Sequence, residues 1–159
     1  RGALAEMRSL LLELRPNTLQ DVSLEELLRQ LSESASGRLR KPVNLEIKGQ
    51  VILPAQVRLT LYRITQEALN NIIKHAEANN IYIELICEND PTNGDCNRAI
   101  LNIRDDGCGF KELPESPMHF GFSIMKERAQ AIGAKLTIES KINQGTSIHL
   151  LWDAEQREN

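Results

Sequence analysis

Apolar residues recur three and four positions apart in four stretches of the chain and alternate with polar ones in five others, which predicts helices and strands respectively. Leu4, Met7, Leu10, Leu11 and Leu14 trace one face of a helix over Ala3 to Leu14, which Arg15-Pro16-Asn17 ends because Pro disfavours helix in the residue before it. Ser23-Leu24-Glu25-Glu26 reads as a capping box, and Leu24, Leu27, Leu28, Leu31 and Ala35 behind it predict a second helix from about 24 to 39. Gly37 near its end and Pro42 beyond it lead into Val43-Asn44-Leu45-Glu46-Ile47, the alternation of a half-buried strand. Pro54 opens the third helix, which the stripe Val57, Leu61, Ile64, Ala68 and Ile72 carries to about Ala76. Ile81, Ile83 and Leu85 then alternate as one strand, and Leu101-Asn102-Ile103-Arg104-Asp105 follows as its hairpin partner after a polar turn from Asn89 to Asn97. Between Asp106 and about Phe120 the periodicity lapses into Gly, Pro, Lys, Glu and Ser, a loop of a length that is usually functional and reads here as a lid. Phe122, Met125, Ala129 and Ile132 predict a fourth helix ended by Gly133, and Leu136/Ile138 and Ile148/Leu150/Trp152 two last strands joined through Asn143-Gln144-Gly145. Helices on one face of a mostly antiparallel sheet make the fold class α+β.

Composition narrows the function classes. A chain of 159 residues, 41% of them hydrophobic, suffices for one soluble domain with a core that needs no disulfide or metal. The net charge of -3 argues against a nucleic-acid surface. Three cysteines, Cys87, Cys96 and Cys108, with no C-x-x-C pair, read as free thiols of a reducing compartment and so point to the cytoplasm. No apolar run reaches the ~20 residues of a membrane span and no basic-then-apolar leader is present, so membrane insertion and export of this segment are not expected. The start at Arg1 in a helical pattern suggests a piece of something longer.

Candidate chemistry lies in three places. Glu67, Asn71 and Lys74 are four and three apart on the third helix, placing a carboxylate, an amide and an ammonium on one edge. That trio suits a phosphate and Mg²⁺ site, the amide oxygen as a hard ligand, the ammonium against phosphate and the carboxylate as proton acceptor; a solvated helix face is the other reading. His75, one residue on, reads as either part of this edge or a partly buried structural histidine. Asp105 shares a face with Leu101 and Ile103 and so points inward, where a carboxylate requires a donor. An exocyclic amine such as adenine's would supply one, and the glycines of Asp106-Gly107-Cys108-Gly109-Phe110 would let the backbone approach a flat ring; an Asp-Gly turn with a local cap is the alternative. Thr146 alternates onto the face of Ile148 and Leu150, towards the same pocket or as an ordinary strand threonine.

Taken in order, these segments resemble the catalytic ATP-binding domain of two-component sensor histidine kinases, within the ATPases that share the Bergerat nucleotide fold. The segment from Tyr62 to Ala76 is similar to the asparagine box, Asp105-x-Gly107-x-Gly109-Phe110 to the first glycine box, Gly121 to Ala129 to the second, and Gly145-Thr146 to the final Gly-Thr. The asparagine box, Met125-Lys126-Glu127-Arg128-Ala129 and Leu14-Arg15-Pro16 are similar in form to the nitrate/nitrite-sensor branch.

The resemblance implies a two-layer α/β sandwich and an ATP and Mg²⁺ site. In it Asn71 holds the metal, Glu67 assists proton removal near the γ-phosphate, Lys74 and His75 lie along the phosphates, and Asp105, supported by Thr146, reads the adenine amino group. Gly107, Gly109 and Gly121 would bracket the lid, with Phe110 in the first glycine box. It further implies residues 1–16 as the end of a dimerisation and phosphoacceptor helix, 17–153 as the ATP-binding domain and 154–159 as a polar tail. The partners implied are the acceptor histidine helix of a homodimeric parent, whose membrane anchoring through upstream segments the sequence leaves open, and a response regulator. Two usual glycines are replaced, by His119 and Asn143, and none of His75, His119 and His149 lies in an acceptor motif, so the chain is expected to bind ATP without phosphorylating itself. A related ATPase or serine kinase, and a non-catalytic regulatory module, are the rival expectations.

Overall fold

The computed structural model describes residues 22–111 and 117–157, with backbone alone at 117–119 and 156–157. The expected helix over Ala3 to Leu14, the 1–16 unit, the middle of the lid and the His119 side chain lie outside the described residues. The order is α1 (Leu24–Leu39), β1 (Val43–Lys48), α2 (Ala55–Asn71), β2 (Ile81–Asn89), β3 (Cys96–Asp105), α3 (Pro117–Ala131), β4 (Lys135–Lys141), β5 (Gly145–Asp153) and a last turn, Ala154–Arg157.

Leu24, Leu27, Leu28 and Ala35 bury the inner face of α1, as their spacing demands. Ser23 Oγ accepts from the Glu26 N–H at 3.2 Å, whereas the Glu26 carboxylate accepts from Gln30 at 3.0 Å, so the box forms its Ser half. Gly37 stays inside the helix; the left-handed cap falls at Arg40, φ 54°, whose N–H bonds the Ser36 carbonyl. On α2, Val57, Leu61, Ile64 and Ala68 are buried.

The five strands form one sheet in the order β1-β2-β3-β5-β4. β1 runs parallel to β2, because α2 carries the chain back between them, and every other pairing is antiparallel. Period-two alternation turns Ile81, Ile83 and Leu85, then Leu101 and Ile103, then Ile148, Leu150 and Trp152 towards the helices, where all are 5% exposed or less. The other face is polar: Lys48 pairs with Glu84, Asn102 donates to Glu84, and His149 bonds Asn102 at 2.7 Å.

Two boundaries differ from the sequence reading. β2 and β3 extend to Asn89 and back to Cys96, shortening the expected turn, and α3 begins at Pro117 rather than Phe122. Gly121 therefore sits within α3 instead of hinging a lid. The helix starts early although Phe120 is 78% exposed, so an apolar stripe could not have marked its first turn.

Candidate functional site

The inward row of β3 ends on a carboxylate. Asp105 is 2% exposed at the rim of the sheet, and its Oδ1 accepts from the Gly107 N–H at 2.8 Å. Burial pushes its carboxyl above the ordinary range, while the N–H groups of Gly107 and Thr146 pull it back. All its protein partners are donors, so it remains an acceptor with spare lone pairs.

Above it lies a pocket of about 420 Å³, counting its open mouth. Ala68, Ile72 and Ala76 wall it from the helix side, Ile103 and Ile148 from the sheet. Phe110 and Phe122 stack against each other in its lining, ring centroids 5.2 Å apart and planes at 22°.

The loop after β3 owes its path to long-range bonds. The Cys108 N–H donates to the Ala76 carbonyl at 2.7 Å, and the Asn143 N–H to the Cys108 carbonyl at 2.7 Å. Ser140 Oγ accepts from the Phe110 N–H at 2.9 Å and donates to the Gly145 carbonyl, tying the loop to the β4–β5 hairpin beside Thr146 Oγ1 at 3.1 Å. Gly109 (φ 56°) and Gly145 (φ 81°) take left-handed backbone here, and a Cβ on either would overlap a backbone oxygen. Asn143, where the resembling motif has glycine, is left-handed at φ 61°, a conformation asparagine tolerates.

Asp106 is a structural residue the sequence reading passed over. Its carboxylate accepts from the N–H groups of Asn79 and Asn80 at 2.7 and 2.9 Å and from the Asn80 side chain at 2.7 Å, pinning the chain between α2 and β2 under the loop. These donors, the Asn80 N–H foremost, hold its carboxyl below the usual range. The folded state thus binds that proton more weakly than the unfolded chain, so Asp106 contributes stability above the ordinary aspartate value and loses it as pH falls through the lowered one. Thermal melts of Asp106→Asn against the unsubstituted chain should show a gap at neutral pH that closes in acid; a gap independent of pH would refute this role.

Of the residues singled out from sequence, Asn71, His75, Asp105, Gly109, Phe110 and Thr146 line this one pocket. Gly107 lies behind it, against Ala76. Gly121 packs on the edge of α2 that carries Glu67 and Asn71: a Cβ there would stand 2.5 Å from Glu67 Oε1 and 3.5 Å from Asn71 Nδ2. Lys74 does not join them. Beyond Asn71 the helix widens into a π-turn, Ile72–Ala76, closed by Glu77 at φ 52°, so angles counted at ~100° per residue no longer hold. Lys74 is exposed, and so is His75, which the structure does not bury. Phe122, Ile72 and Ile148 are pocket residues that periodicity had placed only in the core.

Asn71 Nδ2 is buried with no hydrogen-bond partner. Turning the amide over would present its oxygen there, a hard ligand suited to Mg²⁺, beside the half-buried Glu67. Among the described residues no cluster of three His, Cys, Asp or Glu could hold a metal, and no helix is long and apolar enough to cross a membrane.

Residues 56–156 match the family model described as histidine kinase-, DNA gyrase B-, and HSP90-like ATPase. The chain is 34% identical over 154 residues to the sensor protein VraS of Staphylococcus epidermidis, covering 97% of this chain and 42% of that protein. The Staphylococcus aureus VraS is likewise 34% identical, over 145 residues, covering 91% of this chain and 40% of the relative. The chain thus spans about two fifths of these curated relatives. The histidine kinase domain of the Erythrobacter litoralis EL346 blue-light activated kinase superposes with a TM-score of 0.56 at 18% identity, covering 83% of this chain and 63% of that one. A mycobacterial sensor histidine kinase, MprB, superposes at 0.55 and 22%, covering 83% of this chain and 95% of that one. Every residue that lines the pocket, from Ala68 to Ile148, falls within the matched segment, and the chain belongs to the histidine kinase-, DNA gyrase B- and HSP90-like ATPases.

Proposed function

We propose that the chain is the catalytic, ATP-binding part of a two-component sensor histidine kinase, presenting the γ-phosphate of ATP to a histidine on an acceptor helix. The observation that carries this is the acceptor-only carboxylate of Asp105, buried at the base of an apolar pocket whose edge holds Glu67, Asn71 and Gly121. The pocket takes adenine with its amino group on Asp105. The phosphates then run towards the edge of α2 that carries Asn71 and Glu67, with His75 in the pocket lining and the exposed Lys74 free to swing towards them from beyond the helix end. Asn71 would hold Mg²⁺, which neutralises phosphate charge when bound. Glu67 accepts the proton of the attacking imidazole, and in-line transfer needs little more than this positioning and neutralisation.

On this reading the partners are the acceptor helix of a homodimeric parent and a response regulator, and residues 17–153 are the nucleotide-binding unit with 1–16 as the end of the acceptor helix. The domain works in the cytoplasm, and any membrane anchor of the parent lies outside the described residues. The relatives found are VraS sensor proteins, so the nitrate/nitrite branch suggested by the motif forms gains no support from them.

Calorimetric titration with ATP and GTP, each with and without Mg²⁺, tests the pocket; a folded chain that binds neither nucleotide would overturn the reading. For the chemistry, a fragment carrying the acceptor helix is supplied with the chain and ATP. Glu67→Gln should bind ATP as before yet lower transfer by about 10²-fold or more. Label appearing on serine, or only as free phosphate, would point to a serine kinase or an ATPase.

A further inference from the structure

Three inward side chains stand in a row across the end of the sheet. Two residues on from the facing pair Ile103 and Ile148, the register of β3 and β5 sets Asp105 beside Thr146, and Ser140 of β4 lies opposite Thr146 on its other side. The partners of Ser140 fix where the hydroxyl protons of this row point. Its hydroxyl has one proton and two lone pairs. The Gly145 carbonyl, 3.0 Å from Ser140 Oγ, can only accept, so it takes the proton. The Phe110 N–H, at 2.9 Å, can only donate, so it fills one lone pair. Thr146 Oγ1, at 3.1 Å, is left with a single role: its hydroxyl donates to the second lone pair of Ser140. Thr146 lines the pocket, and with its proton committed to Ser140 it offers only lone pairs to whatever enters.

We propose that Ser140, one strand behind the pocket wall, sets the base specificity of the site: by holding the Thr146 proton it makes Asp105 and Thr146 together an acceptor-only end, which takes a base edge bearing an amine and rejects one bearing a carbonyl oxygen. The inference rests on the reading of the pocket as a nucleotide site. Adenine and hypoxanthine match in size and shape, so the walls cannot tell them apart, and they differ where adenine carries an NH₂ group and hypoxanthine an oxygen. Against the amine the row sets acceptors before donors. Against the oxygen it sets lone pairs before lone pairs, which leaves buried polar groups unpaired. Ser140→Ala releases the Thr146 hydroxyl, which can then turn and donate to that oxygen. Ser140 thus acts through Thr146, as a positioning residue.

Calorimetric titration of the whole chain with ATP and with inosine triphosphate gives the ratio of the two affinities. Ser140→Ala also frees the Phe110 N–H and loosens the loop, which lowers both affinities together, so the ratio is the readout that a merely structural role would not move. The unsubstituted chain should prefer ATP, and the preference should fall about fivefold or more in Ser140→Ala. Thr146→Val should lower it too, because no lone pairs then oppose the oxygen. Adding Ser140→Ala to Thr146→Val should change the ratio no further, since the effect passes through the missing hydroxyl. No preference for ATP in the unsubstituted chain, an unchanged ratio in a Ser140→Ala protein that binds ATP, or a further fall in the double variant overturns the assignment and leaves the nucleotide site standing. So does a ratio that is unchanged or raised in Thr146→Val, the result expected of a hydroxyl that donates to the base; this arm decides the matter if Ser140→Ala fails to fold. A folded, unsubstituted chain that binds neither nucleotide overturns the site and the inference together.

Discussion

Asp105→Asn weakens ATP binding by about 1–3 kcal/mol, roughly five- to 150-fold, and leaves the fold in place. The reason is a matter of donors and acceptors. Asp105 accepts from the N–H groups of Gly107 and Thr146 and has acceptor capacity left facing the pocket. An asparagine of the same shape exchanges one oxygen for an NH₂ group, which must face either a backbone N–H or the amino group of the incoming base. One donor is opposed by a donor in both rotamers. The core loses no volume, and the cost of burying a charge is removed, so melting should change little. Titration calorimetry of the two proteins with ATP checks this. Equal affinities in two folded proteins would show that Asp105 serves only as a cap for its own glycine turn.

Gly107→Ala is expected to reach further, because it acts on both stability and binding. A Cβ at Gly107 would overlap the Ala76 carbonyl oxygen and press on its side chain, and neither belongs to a flexible tip. The same oxygen receives the Cys108 N–H, so the loop that lines the pocket and the end of the π-turn must move apart. Overpacking of this kind costs about 1–3 kcal/mol, and the displaced loop carries Gly109 and Phe110 with it. Melting should fall by several degrees and ATP affinity by more than about tenfold, one tenfold step being ~1.4 kcal/mol. Gly121→Ala is the contrasting case. Its Cβ would meet the end of the flexible Glu67 side chain, which can turn away, so the fold should survive while the position of Glu67 does not. A Gly107→Ala protein with unaltered melting and affinity would mean that the contact with Ala76 is slack.

Both predictions depend on residues visible in the sequence and on contacts that are not. Asp105 could be placed facing inward from Leu101 and Ile103 alone, since strand alternation leaves no choice. Asp106, its neighbour, looks identical in sequence yet faces the chain at Asn79 and Asn80, and only the path of that chain over the strand end reveals its use. Ser140 gave no signal in a strand of ordinary alternation, although it joins Phe110 to Gly145. The misplacement of Lys74 has a similar origin: nothing in Ile72-Ile73-Lys74-His75-Ala76 announces a π-turn.

What the sequence determined by itself was local and periodic: the buried faces of α1 and α2, the inward rows of the strands, and the ordered glycine and asparagine segments whose backbone freedom or polar groups only certain residues supply. Tertiary structure decided which of these meet. It set β1 parallel to β2, started α3 at Pro117 against a helix edge rather than on an apolar stripe, and brought Ala76, Cys108 and Asn143 into one hydrogen-bonded loop. Such contacts join segments tens of residues apart, where neither propensity nor periodicity carries information, so they exist only once the sheet and its helices have fixed the distances between them.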